Sequence, residues 1–334
     1  MAENRISMQD IADELGISKV TVSKALNDKD GVSDELRERI FQVAEREDYK
    51  LPGYGQRKAR KVGIIMSERF NSRSDAGKFY MGMYESIITE LRLASCTGIM
   101  ITPNITSLDQ DLETIENGGL FDGLILLGIL DQVIRKKVDM IKLPKVYVEV
   151  YDEGHNSDSV ITENIYSTYA MTNYLLQNGH TDIGFVGTIG ATTSITDRFL
   201  GYTRLLFEQG IHTRKDWIIP DRSMDGIPVD LKLPEDMPTA FVCNCDETAF
   251  RLLKVLKQNG FTVPEEISVV GFDNDIYARL CDPGLTTVAV NVEEIGKVTV
   301  RRILHFMDHS TDKGGVVYRI PGKNVFRDSV VKRK

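Results

Sequence analysis

A short segment near the N-terminus, residues 18–27, concentrates side chains that suit contact with nucleic acid. Lys19 and Lys24 are cations, and Val20 is a small apolar side chain beside them. In a major groove, lysine favours the O6 and N7 acceptors of guanine, and valine can pack against a thymine methyl group. Hydroxyl and amide side chains lie among these residues and suit phosphate oxygens. They are Ser18, Thr21, Ser23, Asn27 and, further along, Ser33.

Two short helices joined by a tight turn would present this surface. Ser7 caps the first helix, and Asp10 three residues later completes a capping box. Gly16 ends that helix, because a residue without a Cβ tolerates the left-handed conformation. Ser18 then caps the second helix after a turn so short that the helices must cross steeply, as in a helix-turn-helix. A generic helical hairpin with solvated lysines fits these local signals equally well.

A third helix favours the DNA-binding interpretation. It begins at Val32-Ser33, and its inner face is apolar; the residues are Leu36, Ile40, Val43 and Ala44. Three short helices around one small core make a complete DNA-binding head. The residues Thr21-Val-Ser-Lys-Ala-Leu-Asn27, Val32-Ser33, Tyr49 and Pro52 resemble the head of the lac repressor/galactose repressor family of bacterial transcription regulators. The resemblance continues through nearly the whole chain.

Length and charge limit the class of protein. The chain has 334 residues, which suggests two or three domains. Its formal net charge of −8 argues against a purely electrostatic nucleic-acid binder. No apolar run approaches the ~20 residues that span a bilayer, and the N-terminus lacks the apolar core of a secretory signal. We therefore expect a cytoplasmic protein without a membrane association.

The basic residues concentrate in a linker. Residues 1–48 hold 7 basic and 12 acidic side chains, whereas residues 50–61 hold five basic residues and no acid. Three of the basic residues are predicted to contact the DNA backbone: Arg57, Lys58 and Arg60. The alternative is a flexible solubilising tether. In the family this segment usually forms a hinge helix that inserts a leucine into the minor groove, but here Gly53 replaces the usual Asn and no leucine follows before Val62.

From Val62 onward, short apolar strands alternate with helices, which predicts an α/β fold of doubly wound parallel sheets. The pattern restarts after Val160, so two subdomains facing a cleft are expected. The predicted organisation is a helix-turn-helix head at 1–49, a basic linker at 50–61 and a periplasmic-binding-protein-like body at 62–334. The resemblance implies three crossings between the lobes, which gives an N-lobe at about 62–161 and 291–320 and a C-lobe at about 162–290 and 321–334. It also implies a closing strand at Phe326–Val330.

Candidate effector-binding residues lie at predicted strand ends. Phe79 and Tyr80 match the aromatic pair of the family, Arg198 its Arg-x-x-Gly-aromatic motif, and Asp273 its Gly-aromatic-Asp-Asp motif. The structural alternatives are a helix-packing role for Phe79 and Tyr80, a surface ion pair of Arg198 with Asp197, and a turn or cap role for Asp273. Cys245 stands where the family usually carries Asn, and the preceding residue, Asn244, is a substitute only if the strand end is rearranged. An arginine, a carboxylate and aromatic rings suit a polyol, and a purine fits the same ingredients.

No motif supports catalysis. Gly184, Gly187 and Gly190 are spaced neither as a dinucleotide fingerprint nor as a P-loop, and a nucleophile elbow is missing. The five histidines show no metal-ligand spacing, and Cys243-Asn-Cys245 indicates a buried strand with free thiols rather than a metal site. We expect neither a cofactor nor a metal. A transport-type sugar-binding protein and an α/β enzyme acting on sugars or nucleotides are the alternatives.

The sequence thus predicts a DNA-binding transcriptional repressor that works as a homodimer. Two heads would bind a pseudo-palindromic operator in double-stranded DNA. A small-molecule effector, expected to be a sugar on family frequency, would bind between the lobes as inducer or corepressor.

Overall fold

We describe the fold from a computed structural model. It covers residues 6–26, 31–47, 49, 60–67, 70, 75–103, 115, 119–309 and 311–333. The chain divides into two compact units, Met1–Ala59 and Arg60–Lys334, called here the head and the body.

The head contains the three predicted helices: α1 (Met8–Leu15), α2 (Lys19–Leu26) and α3 (Asp34–Arg46). The Ser7 hydroxyl accepts a hydrogen bond from the backbone N–H of Asp10, and the Asp10 carboxylate accepts one from Ser7 N at 2.6 Å. The predicted capping box is therefore confirmed. Only three residues separate α1 from α2, so the two helices form one tight helix-turn-helix.

The three helices share one small apolar core. Gly16 ends α1 in the left-handed conformation at φ 66°, as predicted. The buried side chains of the head are Ile11, Ala12, Val22, Ala25, Leu26, Ile40, Val43 and Ala44. An ion pair between Arg46 of α3 and Glu14 of α1, at 2.6 and 2.7 Å, adds little stability because both groups are exposed. Apolar burial on one side of each helix therefore fixes how α2 is presented.

Strands and helices alternate in the body, as predicted. The strands of the described residues are β1 (Lys61–Met66), β2 (Thr97–Ile101), β3 (Gly123–Leu127), β4 (Lys145–Val148), β5 (Asp158–Thr162), β6 (Ile183–Val186), β7 (Ile218–Ile219), β8 (Ala240–Cys243), β9 (Ser268–Val270), β10 (Thr287–Ala289), β11 (Val317–Ile320) and β12 (Lys323–Val325). The helices there are α4 (Asp75–Leu93), α5 (Gln132–Met140), α6 (Asn164–Gln177), α7 (Thr193–Glu208), α8 (Asp246–Gln258), α9 (Ile276–Leu280) and α10 (Val292–Asp308).

The described strands form two parallel sheets and one small antiparallel pair. The first sheet has the order β11-β5-β4-β3-β1-β2, the second has the order β7-β6-β8-β9, and β10 pairs with β12. The central strands β1 and β3 are apolar and almost fully buried, as expected for strands covered by helices on both faces. The predicted α/β class with doubly wound parallel sheets is confirmed.

The chain passes between the two sheets three times. It leaves the first sheet at residues 162–164, returns at 289–292 and leaves again at 320–323. We call the part around the first sheet the N-lobe and the part around the second sheet the C-lobe. The predicted head and linker limits, 1–49 and 50–61, stay predictions, because residues 50–59 lie outside the described residues.

The predicted closing strand at Phe326–Val330 is wrong. The closing strand is β12, at Lys323–Val325, and residues 326–330 follow it without regular strand pairing. Ser329 explains the difference, because its hydroxyl donates to Val269 O at 2.6 Å and accepts from Thr286 N at 2.8 Å. A side chain therefore occupies backbone groups that a strand ladder would otherwise use.

The glycine of the Arg-x-x-Gly-aromatic motif has a packing role. Gly201 lies in α7 where that helix crosses α6, and a Cβ there would lie 2.1 Å from Ile165 O. Only glycine lets the two backbones approach this closely. The contact holds α7, and with it Arg198, against the start of α6. Within the described residues, no helix combines the length and the apolar character that a membrane span needs.

Candidate functional site

The second helix of the head presents the residues predicted to bind DNA. Lys19, Val20 and Lys24 are exposed, with Val20 at 65% of its full accessibility. The opposite side of α2 is buried in the head core. Because the apolar side fixes the helix, the exposed side has a defined orientation with two cations and one small apolar side chain.

The hydroxyl groups around α2 already have hydrogen-bonding tasks in the head. Ser18 caps α2, since its Oγ accepts from Thr21 N at 3.1 Å and lies 2.8 Å from Thr21 Oγ1. Ser33 caps α3 by accepting from Leu36 N at 3.4 Å. A hydroxyl that caps a helix by accepting a hydrogen bond still has its own O–H to donate to a phosphate oxygen. The phosphate contacts of Ser18, Thr21, Ser23 and Ser33 stay predictions.

The remaining predicted DNA contacts are not supported equally. Asn27, Arg57 and Lys58 lie outside the described residues. Arg60 belongs to the body, where its guanidinium forms an ion pair with Asp308 at the end of α10. Its predicted contact with the DNA backbone would have to compete with this carboxylate.

The effector candidates meet in one pocket of the body. The pocket is partly open to solvent. Its described lining comes from the start of α4, the start of α7 and the ends of β7, β8 and β9; the residues are Phe70, Phe79, Tyr80, Thr192, Ser194, Ile195, Arg198, Arg222, Asn244, Cys245, Glu247, Asp273 and Asp275. All six predicted effector residues are among them. This is the carboxyl end of parallel strands, where α/β sheets bind ligands.

The N-lobe contributes an aromatic wall to this pocket. The ring centroids of Phe70 and Tyr80 lie 4.0 Å apart, and those of Phe79 and Tyr80 lie 5.7 Å apart in an edge-to-face contact. Tyr80 is buried and also packs in the N-lobe core. The predicted pair therefore has both a packing role and a place in the pocket. Phe70 was not predicted, because it stands alone between β1 and α4.

Arg198 is buried, and three protein groups hold its guanidinium. Its Nε donates to Asn164 Oδ1 at 2.8 Å, and its Nη1 donates to the backbone oxygen of Asn244 at 2.5 Å. Its guanidinium carbon lies 3.7 Å from the ring centroid of Phe272. The alternative of a surface ion pair with Asp197 does not fit, because the Asp197 carboxylate instead accepts from the Tyr151 hydroxyl at 2.6 Å.

Asp273 is the carboxylate partner of Arg198. Arg198 Nη2 lies 3.2 Å from Asp273 Oδ1 as an ion pair, but without the alignment of a hydrogen bond. Within the described residues, Oδ1 therefore has no hydrogen-bond donor. Burial raises the pKa of Asp273 to about 7, although the charge of Arg198 opposes the shift. The residue also holds φ 104°, a strained conformation for a side-chain-bearing residue that is typical of functional sites.

A second buried carboxylate, Asp221, organises the other side of the pocket. Its Oδ2 accepts from Asn244 Nδ2 at 2.8 Å and from Thr248 Oγ1 at 2.7 Å, and its Oδ1 accepts from Thr188 N at 2.9 Å. Burial opposes ionisation, but the charge of Arg222 and these bonds hold the pKa of Asp221 below its ordinary value. Asn244 therefore lines the pocket without a rearranged strand end, and its side-chain amide donates a hydrogen bond to Asp221.

Cys245 and Arg222 complete this side. Cys245 Sγ lies 3.3 Å from Thr248 Oγ1 and 3.6 Å from Arg222 Nη2. Burial raises the pKa of Cys245 to about 12, so the thiol stays neutral at physiological pH. Among the described residues, no group of three His, Cys, Asp or Glu side chains could hold a metal ion.

Sequence reasoning missed Asp221, Arg222, Thr192, Ser194, Glu247 and Asp275. Asp221 and Arg222 follow β7, which has only two residues and is too short to produce a strand pattern. Thr192 caps α7 by accepting from Ile195 N at 3.1 Å. For Thr192, the sequence signal that could have been used is its position as a capping residue directly before an apolar helix.

Comparison with known proteins agrees with this architecture. Residues 7–51 match the family model described as bacterial regulatory proteins, lacI family, and residues 172–330 match a periplasmic binding protein-like domain. The chain is 26% identical to catabolite control protein A of Priestia megaterium, over 97% of this chain and 99% of that protein.

Two solved structures share the fold. One is a complex of the transcriptional regulator CelR with cellobiose, with a TM-score of 0.67 and 20% identity over 97% of this chain and all of that one. The other is a lac repressor dimer bound to operator and the anti-inducer ONPF, with a TM-score of 0.65 and 19% identity over 98% of this chain and all of that one. At these identities the two structures establish the fold alone.

A helix-turn-helix head and a ligand-binding body of this kind define a DNA-binding transcriptional regulator, and not an enzyme. The predicted resemblance of the chain to the lac repressor/galactose repressor family of bacterial regulators is thereby confirmed. The lacI-type head also decides against a sugar receptor of the transport type.

Proposed function

We propose that this protein is a cytoplasmic, homodimeric repressor that binds a pseudo-palindromic operator and responds to a sugar. The observation that carries the DNA-binding part is the exposed side of α2. It sets Lys19, Val20 and Lys24 on a helix whose other side is buried in a three-helix core. A helix fixed in this way can enter a major groove with one defined side.

The base-reading and positioning roles divide between the two kinds of side chain. Lys19 and Lys24 would donate to guanine acceptors, and Val20 would contact a thymine methyl group. The hydroxyls of Ser18, Thr21, Ser23 and Ser33, with Asn27, would hold phosphates and set the register. Arg57, Lys58 and Arg60, in the predicted linker, would add contacts with the DNA backbone. Because the head is net acidic, specific contacts must supply much of the selectivity.

The lining of the pocket supports a sugar as effector. Aromatic rings of the N-lobe face a C-lobe wall of carboxylates, guanidiniums and hydroxyls. Apolar faces of a sugar ring pack on aromatic side chains, and its hydroxyls need donors and acceptors in fixed places. The complex of the similar regulator CelR with cellobiose shows a sugar used by this fold. Phe79, Tyr80, Arg198, Asn244, Cys245 and Asp273 are the proposed effector residues.

Effector and operator would be coupled through the body. If the sugar changes the affinity for operator by some factor, the operator must change the affinity for the sugar by the same factor. This holds whether the sugar acts as inducer or as corepressor.

Selection of bound duplexes from a random pool tests the DNA-binding proposal. The full-length protein is used at near-physiological salt, first alone and then with candidate sugars. A pseudo-palindrome whose half-sites lie about one helical turn apart is expected. Enrichment of a single asymmetric half-site would contradict the homodimer. No enriched sequence under any condition would contradict the proposed operator binding.

A further inference from the structure

A hydrogen bond joins the two lobes beside the effector pocket. The Tyr151 hydroxyl donates to Asp197 Oδ2 at 2.6 Å. Tyr151 follows β4 in the N-lobe, whereas Asp197 lies in the second turn of α7 in the C-lobe, directly before the pocket residue Arg198. The two residues are 46 positions apart along the chain, so the bond depends on how the two lobes are arranged.

The chemistry of this bond makes it a strong one. A distance of 2.6 Å is typical of a hydroxyl that donates to a carboxylate. Burial raises the pKa of the Tyr151 hydroxyl and the Asp197 carboxylate raises it further, so the hydroxyl keeps its proton and remains a donor. Asp197 is itself buried, so water screens the bond little.

Each end of the bond is held within its own lobe. On the N-lobe side, Arg135 of α5 donates from Nη2 to Tyr151 O at 2.8 Å, which fixes the backbone that carries the ring. On the C-lobe side, Asp197 belongs to α7, and Gly201 lets that helix pack closely against α6. Because both ends are fixed in this way, a change in the orientation of the lobes would stretch or break the bond.

Arg319 connects this bond to the crossings between the lobes. It lies in β11, and its Nε is 3.9 Å from Glu163 Oε2 in the first crossing. Its positive charge opposes the rise that burial causes in the pKa of Tyr151 and of Asp197. Glu163 N also donates to Ile320 O at 2.9 Å, so a backbone hydrogen bond joins the first crossing to the third. The bond between the lobes therefore lies close to the segments that must bend when the lobes move.

A second tyrosine makes a similar bond within one lobe. Tyr147 of β4 donates to Asp139 of α5, and both residues belong to the N-lobe. Each tyrosine thus bonds an aspartate, but the Tyr147 bond does not depend on the orientation of the lobes. The pair of tyrosines therefore separates the effect of losing a buried hydrogen bond from the effect of losing a contact between the lobes.

We propose that Tyr151 and Asp197 form a latch between the lobes that favours one orientation, and that loss of this latch changes the affinity of the protein for its operator. Asp197 is thereby a positioning residue, which connects the orientation of the lobes to the helix that carries Arg198. An effector between the lobes acts with or against the latch, because a ligand shifts an equilibrium only by its differential affinity for the two states. This inference rests on the proposed function, since it names the contact through which the body regulates operator binding.

Hydrogen exchange of the full-length protein tests the latch without DNA or effector. Tyr151→Phe should speed exchange in the crossing segments 162–164 and 320–323, where the amide of Glu163 is hydrogen-bonded across two crossings. Tyr147→Phe is the matched control, because it removes a bond from tyrosine to aspartate within one lobe, and it should leave these segments unchanged. Unchanged exchange in Tyr151→Phe, or equal acceleration in both variants, would overturn the latch.

Fluorescence anisotropy with the selected operator tests the regulatory part. Tyr151→Phe should change the Kd for the operator by about 10-fold, the lower end of the worth of a hydrogen bond to a charged group. Asp197→Asn should change it in the same direction. The double variant should change it no further than Tyr151→Phe alone, because both substitutions act on one contact. Tyr147→Phe should leave the Kd unchanged.

Two results would overturn the regulatory role of the latch. Unchanged operator affinity in Tyr151→Phe would make the bond a purely structural contact, and additive shifts in the double variant would assign the two residues separate roles. A wild type that selects no operator would overturn the proposed function and the regulatory role with it, whereas the hydrogen-exchange result for the latch stands independently.

Discussion

The exposed side of α2 and the strand ends of the body both carry charged side chains, but in opposite environments. Lys19 and Lys24 stand in water on a helix whose other side is buried. Arg198 and Asp273 are more than nine-tenths buried and are paired with each other. Charged side chains thus occur in both regions, but solvent screens the charges of α2 and does not screen those of the buried pair.

This difference in burial determines whether the loss of a charged side chain affects binding alone or also the stability of the fold. An exposed lysine contributes little to the folded state, so its loss should affect DNA binding alone. A buried charged pair is tied to the packing and hydrogen bonds around it, so the loss of one partner leaves the other without compensation. Substitutions in the pocket should therefore change both effector binding and the free energy of unfolding.

Arg198→Met should show the largest effect. It leaves Asp273 buried without its cation and removes donors to Asn164 and to the Asn244 carbonyl. We expect the free energy of unfolding of the body to fall by about 3 kcal/mol, the lower end of the cost of breaking a buried ion pair. The loss stays at this end because the Asp273 carboxyl, whose pKa is raised by burial, can take up a proton when its cation is removed. Urea denaturation of the full-length protein measures this.

Arg204→Met on the same helix is the control for that substitution. Arg204 is 60% exposed and pairs with the partly exposed Glu208 at 2.9 Å. Its loss should change the free energy of unfolding by less than about 0.5 kcal/mol. Similar values for the two variants would show that burial does not separate these arginines, and the contrast between the two regions would fail.

Lys24→Ala tests the solvent-exposed region. It should weaken binding to the selected operator by roughly 1–3 kcal/mol and flatten the sequence preference at one base pair. Fluorescence anisotropy with the operator and with single-base variants measures this, and the thermal midpoint should stay unchanged. Uniform weakening on all sequences would assign Lys24 to phosphate contact instead of base reading.

The pH dependence of stability tests the buried region. Because burial raises the pKa of Asp273 from 3.8 to about 7, the stability from its bound proton is fully present below pH about 4 and is lost as pH rises through about 7. Relative to Asp273→Asn, the wild type should lose up to about 1 kcal/mol per pH unit between about pH 5 and pH 7. Urea denaturation at several pH values measures the slope. A wild type that gains stability relative to the variant over this window would show a lowered pKa.

Ser18→Ala should have the smallest effect. It removes the hydroxyl that accepts from Thr21 N at the start of α2, which costs about 1 kcal/mol. Hydrogen exchange of the full-length protein should show faster exchange in α2 and unchanged exchange in α8. Thr21→Ala controls for the second hydroxyl of this pair, and an equal effect in that variant would argue against the cap as the cause.

The head could be predicted from sequence because its signals are local. The capping box at Ser7, the left-handed Gly16 and the cap at Ser18 each act within about four residues, and each occurs as predicted. The spacing of apolar residues that indicates a helical face also predicts which residues form the core of the head, because one face of each helix is buried.

The pocket could be predicted only in part. Strand ends and family motifs predicted that Arg198, Asn244 and Asp273 lie close together, because parallel strands end at one edge of a sheet, and these residues line one pocket. The two-residue strand before Asp221 left no pattern in the sequence. The partners of Arg198 could not be read either, because Asn164 and Asp273 are 34 and 75 residues away along the chain.

The sequence by itself determined the class of this protein: a three-helix head, an alternating α/β body and a set of residues typical of one regulator family. These follow from periodicity, caps and motifs, whose physics is local. Only the tertiary structure decided which carboxylate each arginine of the pocket pairs with and how that carboxylate is held. This depends on burial and on groups from distant parts of the chain, because Asp273 pairs with Arg198, and Asn244 and Thr248 bond the carboxylate of Asp221 that pairs with Arg222.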